Sequence, residues 1–326
     1  MNYLLIDFGA SNIKSVLYNS LEDTLSNPLE FPSLFLKCNK VKKNKVETIL
    51  DIILSKYPRT DTVITCSILG GYYVEDIYYS WKDTNKPDLP LNPKCLVGGL
   101  FDSKIHKHHA LSINQPEYIE NISLIGTYKG IPFLSSLGDT ECALKSISLN
   151  SGELIMNLGT GSQVTTYDNR FSFIPSGRMF LMFNKFFNSL GMNFFKDLKQ
   201  ITINDLICST LKCDLNVFPQ SYEFKSGGSI TGILEDNFTY NNLLSSILKS
   251  YINQYKEYID TYKPTKIHLI GGIPKKLPII QLYLKHLYPK IVFNSNNTKY
   301  ADTHLGLINY IKEYENTNNR REWLYS

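Results

Sequence analysis

The sequence predicts an α/β fold built from two similar halves. Three observations carry that expectation. An apolar run ending in a glycine turn occurs twice, about half the chain apart, as Leu4-Leu5-Ile6-Asp7-Phe8-Gly9 and Leu154-Ile155-Met156-Asn157-Leu158-Gly159. Each turn leads into a second β-rich stretch, so each copy reads as a buried strand, a tight turn and a returning strand. Beyond the two copies, apolar runs alternate with segments of helical spacing, the order of an α/β chain. Asp7 and Gly9 in the first copy fall where Asn157 and Gly159 fall in the second.

The elements follow in order. After the first hairpin, Val46, Ile49, Leu50, Ile53 and Leu54 recur at helical spacing within 41–57, and Pro58 closes that helix. Residues 62–69 form a β-rich run ending at Gly70-Gly71, and 82–93, with its prolines, Asn and Asp, reads as loop. Leu124-Ile125-Gly126 and Ile131-Pro132-Phe133-Leu134 lead to Gly138-Asp139, and a helix over 140–148 leaves that turn. In the later half the clearest helix is 241–262, with Leu243, Leu244, Ile247, Leu248, Ile252 and Tyr255 on one face. A buried strand over 266–270 stops at Gly271-Gly272, a helix follows over 278–287, a strand around 291–293, and a last helix over 301–314 before a polar tail. The expected division is 1–145 and 146–326.

Composition bounds the partners. The chain has 326 residues, long enough for two cores, and a net charge of +4 from scattered basic residues. The densest basic cluster, 40–45, is too small for a nucleic-acid face. Six dispersed cysteines form no CxxC pair; Cys66 and Cys142 sit in apolar surroundings and read as buried thiols. Without a leader or a run of about 20 apolar residues, the expectation is a cytoplasmic protein, with neither nucleic acid nor membrane as partner.

The turns suggest phosphate chemistry. Small residues leave backbone N–H groups open to an anion, and two such turns can grip phosphate from two sides. Asp7, at the end of a buried strand, is a natural anchor for hydrated Mg²⁺; Ser11, Asn12 and Lys14 follow at the turn or just past it. Gly159-Thr160-Gly161-Ser162 offers two hydroxyls and a flexible backbone. Asp139 precedes a helix and suits either a cap or a general base. Gly271-Gly272 would let the backbone approach a flat ring such as adenine, or simply make a strand-exit turn.

In this order the pieces resemble the FGGY family of carbohydrate kinases, of the actin-like ATPase superfamily. Ile6-Asp7-Phe8-Gly9-Ala10-Ser11-Asn12-Ile13-Lys14 resembles the first phosphate loop, and Ser80-Trp81-Lys82-Asp83-Thr84-Asn85 the sugar-side segment, with Ser103-Lys104-Ile105 after it. Leu137-Gly138-Asp139-Thr140-Glu141-Cys142-Ala143-Leu144 is similar to the segment holding the catalytic Asp, and Asn157-Leu158-Gly159-Thr160-Gly161-Ser162-Gln163-Val164 to the second phosphate loop. Gly228-Ser229-Ile230-Thr231-Gly232-Ile233 resembles the C-terminal signature, Leu269-Ile270-Gly271-Gly272 with Lys275 and Pro278 the adenosine segment, and Asp302 with Gly306 the last helix.

The resemblance implies two ribonuclease-H-like domains with an interdomain cleft and an ATP-dependent sugar kinase using Mg²⁺. Residues 1–145 would form the sugar-binding domain with the first phosphate loop, and 146–326 the ATP-binding domain. Asp139 would be the general base and Asp7 would hold Mg²⁺ through water. Gly9, Ser11, Asn12 and Lys14 would belong to the first phosphate loop. Gly159, Thr160, Gly161 and Ser162 would touch the β- and γ-phosphates, and Gly271 and Gly272 would flank the adenosine. Trp81 and Asp83 would line the sugar pocket with Asp139. The substrate expected by analogy is a ketose or related carbohydrate such as xylulose or sedoheptulose, and a homodimer stays open.

Three departures temper the match. The chain is short for the family, Ala10 stands where a hydroxyl residue is usual, and Asn85 stands where a sugar-contacting Arg is expected. The alternative is a catalytically degenerate nucleotide- and sugar-binding regulator of the same fold. A hexokinase-like relative of the ROK type would bring a Cys-rich zinc motif that is absent here. A filament protein would leave the sugar-side segments unexplained. His106, His108 and His109 lack matching ligand spacing and read as a solvated helix face. Tyr72-Tyr73 and Tyr78-Tyr79 read as packed strand side chains.

Overall fold

The computed structural model describes residues 1–35, 40–67, 71–80, 94–104, 121–159, 161–167, 170–217, 227–296 and 298–325, with backbone alone over 170–175 and 318–325. The chain divides into two compact units, Met1–Ser148 with Thr298–Ser326, and Leu149–Asn297.

The first unit begins with β1 (Asn2–Phe8), β2 (Asn12–Asn19), β3 (Thr24–Leu25), β4 (Leu29–Pro32) and β5 (Lys40–Lys42). Helix α1 (Lys43–Lys56), β6 (Thr62–Ser67), β7 (Tyr72–Val74) and β8 (Ile77–Tyr79) follow, then β9 (Leu124–Tyr128), β10 (Ile131–Leu134), β11 (Leu137–Gly138) and α2 (Asp139–Lys145). The main sheet runs β3-β2-β1-β6-β10-β9, with β4 beside β2 and β11 beside β6. Strand β1 is antiparallel to β2 and parallel to β6.

Alternation explains why β1 is apolar throughout. Leu4, Ile6 and Phe8 face one layer with Val46, Leu50 and Ile53 of α1. Tyr3 and Leu5 face the other with Cys142, Leu307 and Ile311. A strand covered on both faces needs an unbroken apolar run. The tyrosine pairs pack as expected on a side hairpin: Tyr72 stacks on Tyr79 at 5.5 Å, and Tyr73 meets Tyr78 edge-on at 5.2 Å.

The second unit holds β12 (Glu153–Leu158), β13 (Gly161–Thr166), β14 (Arg170–Pro175), α3 (Gly177–Ser189), α4 (Phe194–Leu198), α5 (Ile203–Cys208), β15 (Lys212–Asp214) and β16 (Ser229–Thr231). It continues with α6 (Tyr240–Asn253), α7 (Lys256–Tyr262), β17 (Lys266–Ile270), α8 (Gly272–Lys276), α9 (Ile279–Leu287) and β18 (Val292–Ser295). Its sheet runs β14-β13-β12-β17-β18, with β12 antiparallel to β13 and parallel to β17. Both sheets thus set their first strand between an antiparallel second strand and a parallel later one. The duplicated motif is a duplicated sheet.

Three expectations are corrected. The last helix, α10 (Asp302–Tyr325), packs with the first unit, so residues 298–326 do not join the C-terminal domain. Its Leu307 and Ile311 complete the layer against Tyr3 and Leu5. The helix also runs past Tyr314 into the expected polar tail, where Glu315 accepts hydrogen bonds from Tyr3 (2.9 Å) and Ser20 (2.8 Å). The single helix over 241–262 is two, because the ladder tightens to an i−3 bond from Tyr255 N–H to the Ile252 carbonyl (3.1 Å).

Candidate active site

The first hairpin and α2 bring two carboxylates to the C-terminal end of one sheet's strands. Asp7 sits opposite Lys14 on β2 and beside Cys66 on β6, and Cys66 in turn pairs with Leu137 on β11. Asp139 follows Leu137 by two residues, in the first turn of α2. Neighbouring strands lie about 4.8 Å apart, so roughly 10 Å separates β1, which carries Asp7, from β11, which ends just before Asp139. Both acids lie at the C-terminal ends of parallel strands, where α/β sheets bind ligands.

Asp7 is 8 % exposed. Its Oδ2 accepts a hydrogen bond from Thr303 Oγ1 (2.9 Å), while Oδ1 is buried with no hydrogen-bond partner among the described residues. Burial and then the nearby Asp139 charge push the Asp7 carboxyl up to about 6, against the opposing pull of Lys14, Thr303 and Cys66. Asp139 is half-buried, and its Oδ1 accepts the Thr140 N–H at 2.7 Å.

The turn itself is tightly specified. A Cβ at Gly9 would lie 2.7 Å from the Asn12 carbonyl oxygen. Ser33, buried nearby, donates to the Gly9 carbonyl at 2.7 Å and pins the turn. Ser11 and Asn12 are exposed, Asn12 donating to Glu30 at 3.3 Å, and Lys14 is half-buried.

The second hairpin repeats the geometry with different chemistry. Asn157 pairs with Gln163 and with Ile270, and Gly159 N–H donates to the Gly161 carbonyl at 3.1 Å. Gly271 follows β17 at φ +95°, where a Cβ would meet the Leu158 carbonyl at 2.4 Å and Asn157 Oδ1 at 3.1 Å. That backbone approach demands glycine. Gly272 opens α8, and a Cβ there would meet open space.

Ser162 departs from expectation. It is fully buried, and its hydroxyl shares a hydrogen bond with Tyr251 at 3.3 Å; Tyr251 also bonds Ser176 (2.7 Å) and receives one from Tyr255 (3.0 Å). Its hydroxyl therefore serves the core beneath the turn. Thr160, Trp81, Asp83, Asn85 and the histidines at 106, 108 and 109 lie outside the described residues.

Sequence reasoning missed Thr303, Ser33 and Tyr251. Each acts on a turn from a distant part of the chain, and only Thr303 lay near a quoted motif, one residue after Asp302.

No protein-family model and no curated protein matches the sequence. Solved structures do match its fold. A xylulose kinase from Brucella ovis superposes with a TM-score of 0.65 at 10% identity, over 96% of this chain and 91% of that one. A glycerol kinase from Plasmodium falciparum, solved with ADP, gives a TM-score of 0.62 at 10% identity, over 94% and 88%. A gluconate kinase from Lactobacillus acidophilus gives 0.61 at 10% identity, over 95% and 89%. The chain has the fold of the FGGY-type sugar kinases.

Within that sugar-kinase fold, no group of three or more His, Cys, Asp or Glu suited to a metal occurs among the described residues. A site of one or two carboxylates completed by water and substrate phosphate is the arrangement Mg²⁺ uses. No helix among the described residues is long and apolar enough to cross a membrane.

Proposed function

We propose that this chain is an ATP-dependent sugar kinase. The observation that carries the reading is the carboxylate pair, Asp7 and Asp139, at the C-terminal ends of parallel strands in a fold that is that of known sugar kinases. The first unit would hold the acceptor sugar, with Trp81, Asp83 and Asp139 toward it. The second unit would hold the nucleotide: Gly159, Thr160, Gly161 and the Ser162 backbone at the phosphates, Gly271 and Gly272 at the adenosine. Gly9, Ser11, Asn12 and Lys14 would form the first phosphate turn.

Asp139 is the general base. It takes the proton of a sugar hydroxyl as that oxygen attacks the γ-phosphorus, and the bridging oxygen leaves with ADP. Asp7 would hold Mg²⁺ through water, because its Oδ1 is a hard donor with no hydrogen-bond partner among the described residues. Held there, such an ion would supply charge neutralisation at the phosphates. Lys14 adds a point charge to the same turn. A ketose such as xylulose or sedoheptulose is the preferred acceptor, in keeping with the xylulose kinases among the structural neighbours.

A second reading, a nucleotide- and sugar-binding regulator without turnover, draws support from Ala10 and from the buried Ser162 hydroxyl, which leave fewer side-chain donors for phosphate. ADP release with Mg-ATP over a panel of ketoses, aldoses and polyols separates the two. Sugar-dependent turnover is expected, with Asp139→Asn lowering kcat by about 10²–10⁴. ATP binding without turnover on any sugar would favour the regulator, and no ATP binding would remove both.

A further inference from the structure

The last helix returns to the first unit and meets both candidate carboxylates' supports. Thr303, in its first turn, donates to Asp7 Oδ2 at 2.9 Å across 296 residues of sequence. Next to it, His304 Nε2 lies 3.3 Å from the Lys14 carbonyl, which can only accept, so the strand opposite Asp7 is held by the same turn. Further along, α10 lies directly on α2, the helix that Asp139 opens. A Cβ at Gly306 would fall 1.7 Å from the Cys142 carbonyl oxygen, and Tyr310 donates to Glu141 at 2.6 Å.

A carboxylate anchored through one oxygen cannot swing about its Cβ–Cγ bond, so the direction of its other oxygen is fixed. In Asp7 that other oxygen, Oδ1, is buried with no hydrogen-bond partner among the described residues. We infer that Thr303 is a positioning residue: its hydroxyl holds Asp7 so that Oδ1 faces the water shell of the nucleotide's divalent cation. The inference rests on the sugar-kinase reading of this site. It assigns Thr303 no contact with substrate, and it gives the C-terminal helix a role in metal binding as well as in packing.

The test uses the full chain with Mn²⁺ as the probe for Mg²⁺, its binding in the presence of ADP followed by electron paramagnetic resonance. Thr303→Val keeps the shape and removes the hydroxyl; Mn²⁺ binding should weaken about ten-fold, the low end for losing an outer-shell partner. Thr303→Ser should restore binding to within about three-fold of wild type. In turnover, Thr303→Val should lower kcat and leave the KM for sugar unchanged. Tyr310→Phe loosens the same helix about two turns on and should leave Mn²⁺ binding as in wild type. Undiminished Mn²⁺ binding by Thr303→Val overturns the inference, as does an equal loss in Tyr310→Phe, which would mark a general packing effect. A wild-type chain that binds no Mn²⁺ with ADP overturns the kinase reading itself, and it does so before any variant is made.

Discussion

Asp7 is a buried acid whose folded environment resists its charge. Burial and Asp139 raise its carboxyl to about 6, so between about pH 4 and 6 the unfolded chain has released a proton that the folded chain keeps. The folded state then binds more protons, and stability falls as pH rises through that window before levelling off above it. Asp7→Asn lacks this penalty and can still accept the Thr303 hydroxyl. Without nucleotide or divalent ion, the variant should be more stable than wild type by about 1–3 kcal/mol near pH 8 and should lose that advantage near pH 4. Urea unfolding at the two pH values checks it; a variant less stable at both would mean that the charge is compensated. Asp7, Gly9 and Asp139 were legible in the sequence because a polar residue or glycine ends a buried run at each. Thr303 was not, since its partner lies at the opposite end of the chain. Nor was the burial of Ser162, for a hydroxyl beside a turn reads the same whether it faces solvent or core.

Elements were legible where burial imposes a pattern. Strands β1 and β12 are covered on both faces and read as continuous apolar runs, and α9 shows its periodic face. The break between α6 and α7 left no trace, because Tyr255 continues the apolar face across it and stays fully buried. The crossing of α10 on α2 was likewise hidden. A glycine inside a helix ordinarily costs about 1 kcal/mol relative to alanine, so Gly306→Ala would be expected to stabilise an isolated helix. Here the added methyl meets the Cys142 carbonyl at 1.7 Å, against backbone that cannot rotate away. Overpacking of this kind costs about 1–3 kcal/mol and outweighs the propensity gain. Gly306→Ala should therefore lower the thermal unfolding midpoint; an unchanged or higher midpoint would show that the two helices part without cost.

At the scale of the whole molecule, the two units differ in how the chain builds them. The second, Leu149–Asn297, is one continuous stretch with its own core of Leu154, Met156 and Leu158 on β12 and Leu248 and Ile252 on α6. The first needs both ends of the chain. Leu307, Ile308 and Ile311 of α10 cover the face of the sheet formed by Tyr3, Leu5, Val16 and Ile64. Burying aliphatic side chains contributes roughly 1.5–3 kcal/mol each, as an upper estimate. Three of them approach the 5–15 kcal/mol that stabilises an ordinary domain. A chain ending at residue 297 should thus lose the cooperative unfolding of the first unit and keep that of the second. The fragment 149–297 alone should unfold cooperatively. Adding the 298–326 peptide in trans to the shortened chain should restore protection to the amides of β1 and β6 in hydrogen exchange. The motif repeat made the two halves visible in the sequence, yet it could not say which half the last helix completes, because helical periodicity reports that a face is buried and not what buries it. If the shortened chain keeps protected amides in β1 and β6, the strands of the first unit hold without their helix, and α10 is an accessory to that core.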